Sequence, residues 1–121
     1  MTKMLREGTG WRLGWDNKRG NFKALVGGEN WAIELTQDEF EDLRRLAQQL
    51  ASTMAAIANE LMPDEQIICE HETEHLWMEA EGFHHSYSLR FILINGRGGE
   101  GAWPAKIVPE VLRSLELINV F

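Results

Sequence analysis

Between Phe40 and Leu61 the apolar positions advance in steps of three and four: Phe40, Leu43, Leu46, Ala47, Leu50, Ala51, Met54, Ile57, Ala58 and Leu61. That spacing draws one continuous stripe along a helix. Thr36 followed three residues later by Glu39 reads as a capping box, and Asp38, Glu39, Glu41 and Asp42 gather where the helix dipole favours anions. Pro63 marks the stop. The pattern predicts a helix over 36–62, about 40 Å long at ~1.5 Å per residue, lying across a sheet.

On either side of this stripe the period changes to two. Upstream, Trp11, Leu13 and Trp15 alternate with Arg12 and Gly14, a turn follows over "DNKRGN", and "NFKALVGG" and "WAIEL" flank a Gly-Gly-Glu-Asn turn. This predicts three strands before the helix. Downstream, "EQIICEHE", "HLWMEAEG", "SYSLRFILIN" and "AWPAKI" read as strands, with "GRGGEG" as a loop. "VPEVLRSLELI" reads as a second helix: Pro109 suits its first turn, and Val111, Leu112, Leu115 and Ile118 share a face.

The two halves align. Gly27-Gly28-Glu29 lies over Gly98-Gly99-Glu100, Trp31 over Trp103, and Leu35, Phe40 and Leu43 over Ile107, Leu112 and Leu115. We read a duplicated strands-then-helix unit, with repeats at about 1–62 and 63–121 of a single α+β domain. One small sheet with one helix leaves an apolar face bare, whereas two such units cover each other.

The segment Cys69–His75, "CEHETEH", contains His71-Glu72-x-x-His75, the zinc-binding pattern of many metalloproteases. That chemistry needs both imidazoles on one helix face, a glutamate beside the metal-bound water, and a third ligand. No helical stripe runs through 67–80, Ile67-Ile68-Cys69 favours a strand, and Met78 stands where the extended motif has glycine. His71 and His75 are therefore assigned no metal, and no cofactor is expected. The alternation predicts a strand with His71, Thr73 and His75 on one face and glutamates on the other; two strands joined by a tight reversal near Thr73 is the alternative. Gly96-Arg97-Gly98-Gly99-Glu100-Gly101 matches a dinucleotide fingerprint, but Trp103-Pro104 follows it and the required helix and strand have no room, so it reads as a hairpin loop. Cys69 beside His71 admits a nucleophilic pair or a small buried hydrophobe, with the latter preferred.

Charge narrows the partner classes. The chain of 121 residues carries a net charge of −7. Residues 61–121 hold four Lys/Arg against ten Asp/Glu, while the first thirty hold six against three. Trp11, Arg12, Trp15, Lys18, Arg19 and Lys23 in that N-terminal stretch, with Phe22 between them, pattern as an aromatic and basic platform for single-stranded nucleic acid, or else the tryptophans are simply core. The overall charge weighs against nucleic acid. A single cysteine, no apolar signal-peptide core and no long apolar run point to a cytoplasmic protein without a membrane span.

"GWRLGWD", "ALVGGENWAIELTQDEF", "LWMEAEGF" and "LRFILINGRGGEGAWP" together resemble a family of small cyanobacterial proteins, the domain-of-unknown-function family 1818. The resemblance spans nearly the whole chain. It implies a fold similar to that of Whirly-type single-stranded-DNA-binding regulators: two antiparallel sheets, each with a helix, related by a pseudo-two-fold. It supplies no catalytic residues. The expected function is a non-enzymatic protein-binding or regulatory module, with a protein partner or self-association.

Overall fold

The computed structural model describes residues 3–118. Two four-stranded antiparallel meanders make up the fold. Sheet A runs β1 (Lys3–Gly8), β2 (Trp11–Asp16), β3 (Ala24–Gly28) and β4 (Ala32–Leu35), followed by helix α1 (Gln37–Ala56). Sheet B runs β5 (Ile67–Glu72), β6 (Leu76–Phe83), β7 (Ser86–Leu93) and β8 (Glu100–Trp103), followed by α2 (Val108–Leu117). The predicted order, strands then helix twice over, is the observed one. The outermost residues of the two repeats, 1–2 and 119–121, lie outside the described residues.

The helices cross over. α1 follows sheet A in the chain but lies chiefly against β5 and β6, and α2 follows sheet B but touches β2 as well as β7. Leu43, Leu46, Leu50 and Met54 of α1 join Leu76, Met78 and Ala80 of β6 and Leu89 and Phe91 of β7 in a single buried cluster. Each unit thereby closes the other, and one core serves both.

Between the sheets the closure is made by indoles. Trp31 Nε1 donates to the carbonyl of Ala102 on β8 at 3.1 Å, and Trp103 Nε1 donates to the carbonyl of Gly27 on β3 at 2.9 Å. The two rings lie 5.4 Å apart, each 5.7 Å from Phe91. A Cβ at Gly101 would collide with the Trp31 ring, which explains the absence of a side chain there. The residue-level alignment of the repeats needs correction. Trp31 precedes β4, whereas Trp103 ends β8, so the two tryptophans are partners in one contact and not equivalent positions.

Three element boundaries also differ from expectation. β1 was not foreseen, because five of its six residues are exposed and an edge strand has no buried face to impose alternation. α1 stops at Ala56, and Ala58–Glu60 form a short 3-10 turn. The stripe continues in letters past Met54, but Ile57, Ala58 and Leu61 are only half-buried, and Met62 just beyond is 67% exposed. The helix is therefore about 30 Å long. Its start is as predicted. Thr36 Oγ1 accepts from Glu39 N at 3.2 Å, and Glu39 returns an acceptor to Thr36 N at 2.9 Å. β8 begins at Glu100, inside the glycine-rich stretch, and ends before Pro104.

Glu39 is 1% exposed, and its charge is answered from the other unit. Arg97 Nη1 and Asn95 Nδ2 both donate to its carboxylate. Arg97 also donates to the Glu34 carbonyl at 2.6 Å and stacks over Phe22, with its guanidinium carbon 4.6 Å from the ring centre. The loop 94–99 that carries it turns on Gly96 and Gly98, both with positive φ. The apparent dinucleotide fingerprint is thus a hairpin loop, as expected, and it presents an arginine.

Candidate functional site

The six N-terminal residues do not form one surface. Alternation along β2 sends Trp11, Leu13 and Trp15 into the core, where the tryptophans are 7% and 3% exposed, and leaves Arg12 on the opposite, solvent side. Trp11 Nε1 donates to Glu110 of α2 at 3.1 Å, and Trp15 packs on Phe40. Lys18, Arg19 and Lys23 collect at the β2–β3 turn instead. There Arg19 pairs with Glu34, and Lys23 Nζ donates to the carbonyls of Arg19 and Gly20 at 2.9 and 2.8 Å. Arg12 lies at the far end of β2 near Glu7. Lys18 and Arg19 remain exposed and Lys23 is half-buried; the ring among them is Phe22, 37% exposed and stacked under Arg97.

"CEHETEH" is a strand and a turn. β5 ends at Glu72, and Thr73–His75 make the reversal into β6, so the single strand face of His71, Thr73 and His75 is corrected to the alternative that was left open. Thr73 governs the turn: its Oγ1 accepts from the backbone N–H of His75 at 3.1 Å and of Leu76 at 3.3 Å. His71 and His75 share no helix face, and among the described residues no three His, Cys, Asp or Glu side chains are placed to hold a metal ion. Cys69 is half-buried on the core side of β5.

His75 has a different role. Its Nδ1 lies 2.7 Å from Asp42 Oδ2 on α1, and since an ionised carboxylate only accepts, the imidazole donates. This bond fixes the β5–β6 turn against the start of the helix. Around it an open hollow of about 630 Å³ is lined by Asp38, Glu41, Asp42, Glu72, Glu74 and His75 with Arg45. The hydrogen bond to Asp42 raises the His75 pKa against a smaller opposing effect of burial, and the charges of Asp42, Glu74 and Asp38 add to the rise. Burial lifts the Asp42 carboxyl, but hydrogen bonds from His75 and Thr73, with the charges of Arg45 and His75, outweigh it and hold the pKa low.

The signs define a window. A raised histidine contributes fully below its ordinary value of about 6.5 and loses the contribution as pH climbs through the raised one; a lowered aspartate contributes above about 4 and fails as pH falls through the lowered one. The pair therefore stabilises best between about pH 4 and 6.5. Both side chains are partly exposed, so the expected amount is about 1 kcal/mol or less. Urea midpoints measured from pH 6 to 8.5 should fall more for the unmutated protein than for His75→Gln; parallel curves would show that the pair does nothing.

The most distinctive surface is the outer face of sheet B, away from α1. Cross-strand register sets three rows there: Ile68, Glu81 and Ser88; Glu70, Glu79, Arg90 and Ala102; Glu72, Trp77, Ile92 and Glu100. Five glutamates thus surround a half-buried Trp77 and Ile92, with Arg90 the one cation among these positions. Glu70 and Glu79 stand directly opposite each other. The sequence marks the glutamates, and in so small a domain its five tryptophans, Trp77 among them, read as core; Trp77 instead faces outward, beside Arg90. The signal was present: Leu76, Met78 and Ala80 are buried, and the alternate positions Trp77, Glu79 and Glu81 face out.

Comparison with known proteins carries the fold and no activity. A crystal structure of a protein with unknown function from the DUF155 family of Prochlorococcus sp. NATL2A is similar to this chain with a TM-score of 0.90 and 33% identity, covering 95% of this chain and 98% of that one. No curated protein matches. Among the described residues no helix is long and apolar enough to cross a membrane. The family described as "Domain of unknown function (DUF1818)" matches residues 6–118, and the chain belongs to that family.

Proposed function

We propose that this protein is a non-catalytic binding module, that its docking surface is the outer face of sheet B, and that its partner is a protein carrying positive charge there. The observation that carries the reading is the placement of Glu70 against Glu79 beside Trp77 and Ile92. Like charges directly opposite on neighbouring strands destabilise a sheet by some tenths of a kcal/mol. An arrangement that opposes folding, around an aromatic ring left half-uncovered, fits a surface shaped for a cationic partner with an apolar anchor. The net charge of −7 and the burial of Trp11 and Trp15 weigh against nucleic acid as that partner.

The test separates folding from binding. Glu70→Gln should raise the urea midpoint by the equivalent of up to about 0.5 kcal/mol. In the native cell extract, proteins captured by the unmutated chain and lost to a Glu70→Lys, Glu81→Lys variant should share an arginine- or lysine-rich segment. Identical capture by both chains would overturn the assignment of this face.

A further inference from the structure

The outer face of sheet B contains a cation site that is already filled from within. Arg90 stands opposite Glu79 on β6 and Ala102 on β8. Its guanidinium carbon lies 5.3 Å from the centre of the Trp77 ring, and its Nη1 lies 4.0 Å from Glu79 Oε1. Both contacts are at the long end of their kind. A strong charge-assisted hydrogen bond measures about 2.7–2.9 Å, and a cation over an aromatic face is held within about 6 Å. The Arg90 side chain is 45% exposed, against 18% for Glu79. A cation is therefore present at the right chemistry, an indole face flanked by carboxylates, but is held loosely and open to exchange.

We propose that Arg90 is an internal placeholder for an arginine of the partner, and that the face takes an extended segment with arginines at alternate positions. This rests on the reading of the same face as the docking surface. Two features point to this occupant. First, an acid stands in every one of the three rows: Glu81, then Glu70 and Glu79, then Glu72 and Glu100. Successive rows are two residues apart along each strand, about 7 Å, which is the distance between alternate side chains of an extended peptide. Second, the ring selects arginine over lysine. A planar guanidinium stacks on the indole while its N–H fork reaches the carboxylates, and a compact ammonium does only one of these at a time.

The experiment uses the full chain and two labelled hexapeptides, one with arginine and one with lysine at alternate positions and serine between, read by fluorescence anisotropy at low and high salt. The unmutated protein should bind the arginine peptide more tightly at low salt. Arg90→Ala makes the face more acidic and should help both peptides, but it should tighten the arginine peptide by about three- to fivefold more than the lysine one, the size of one exposed cation–π contact. Trp77→Leu should erase the preference for arginine while leaving salt-sensitive binding in place. Binding that weakens in Glu70→Gln, Glu81→Gln but is not selectively tightened by Arg90→Ala would retain the docking face and overturn the placeholder. Equal affinity for the two peptides, unaltered by Trp77→Leu, would likewise overturn it. No binding of either peptide at low salt would remove both.

Discussion

Arg97→Met is expected to lower the unfolding free energy by about 3 kcal/mol, measured as a shift in the urea midpoint at unchanged slope. The arginine side chain is 30% exposed, but its partner Glu39 is 1% exposed, and the loss falls on the partner. Without Arg97 the carboxylate keeps only the neutral donors Thr36 N and Asn95 Nδ2, so a nearly uncompensated charge stays in the core. The Glu34 carbonyl and the Phe22 ring lose their contacts in the same step. Glu39→Gln in the Arg97→Met background should recover part of the deficit, because the neutral amide still caps the helix and no longer needs a counter-charge. Arg97→Lys should fall well short of arginine, since an ammonium cannot reach the carboxylate and the Glu34 carbonyl as a fork does. If Arg97→Met is as stable as the unmutated chain, the ion pair is incidental.

Trp103→Ala is expected to destabilise by about 3–5 kcal/mol, the range for deleting a large buried aromatic side chain. The ring is 0% exposed and packs on Trp31 and Phe91 at the seam between the sheets. Trp103→Phe isolates the polar part. It keeps most of the apolar surface but leaves the buried Gly27 carbonyl without its indole donor, for an expected loss of about 1–2 kcal/mol. Thermal denaturation of the two variants should rank them in that order. A Trp103→Phe protein as labile as Trp103→Ala would show that the indole hydrogen bond, and not the buried apolar surface, holds the seam. Two-state unfolding is expected for all variants, because the crossed helices leave no unit with a core of its own.

The helices and the inner strands were legible because burial enforces a period. Phe40 to Met54 and Leu76 to Ala80 repeat at three to four and at two because each side chain on the inner face meets another. β1 was not legible for the converse reason: its residues answer to solvent. The end of α1 was misjudged because Ile57, Ala58 and Leu61 continue the periodic pattern, half-buried, after the α-helix has given way to a 3-10 turn. At the candidate sites the split is similar. The acidity of β5 and β6 is visible in composition, but Asp42 against His75 and Glu39 against Arg97 join residues 33 and 58 positions apart, and no local pattern announces such a pair. The tryptophans show how the same letters mislead. Trp31 and Trp103 align because both follow a Gly-Gly-Glu turn, yet the fold places them against each other.

The crossing of the helices sets an order on synthesis. When α1 leaves the ribosome, Leu43, Leu46, Leu50 and Met54 lack their main cover, because β5 and β6 have not yet been translated. At typical translation speeds the interval is on the order of seconds, long compared with helix formation in about a microsecond. The nascent chain therefore carries an amphipathic segment with much of its apolar side in water until residues 76–80 arrive. A chaperone that captures exposed leucine and methionine would meet this protein at that moment, and a premature stop before β6 would yield a fragment destined for aggregation or proteolysis.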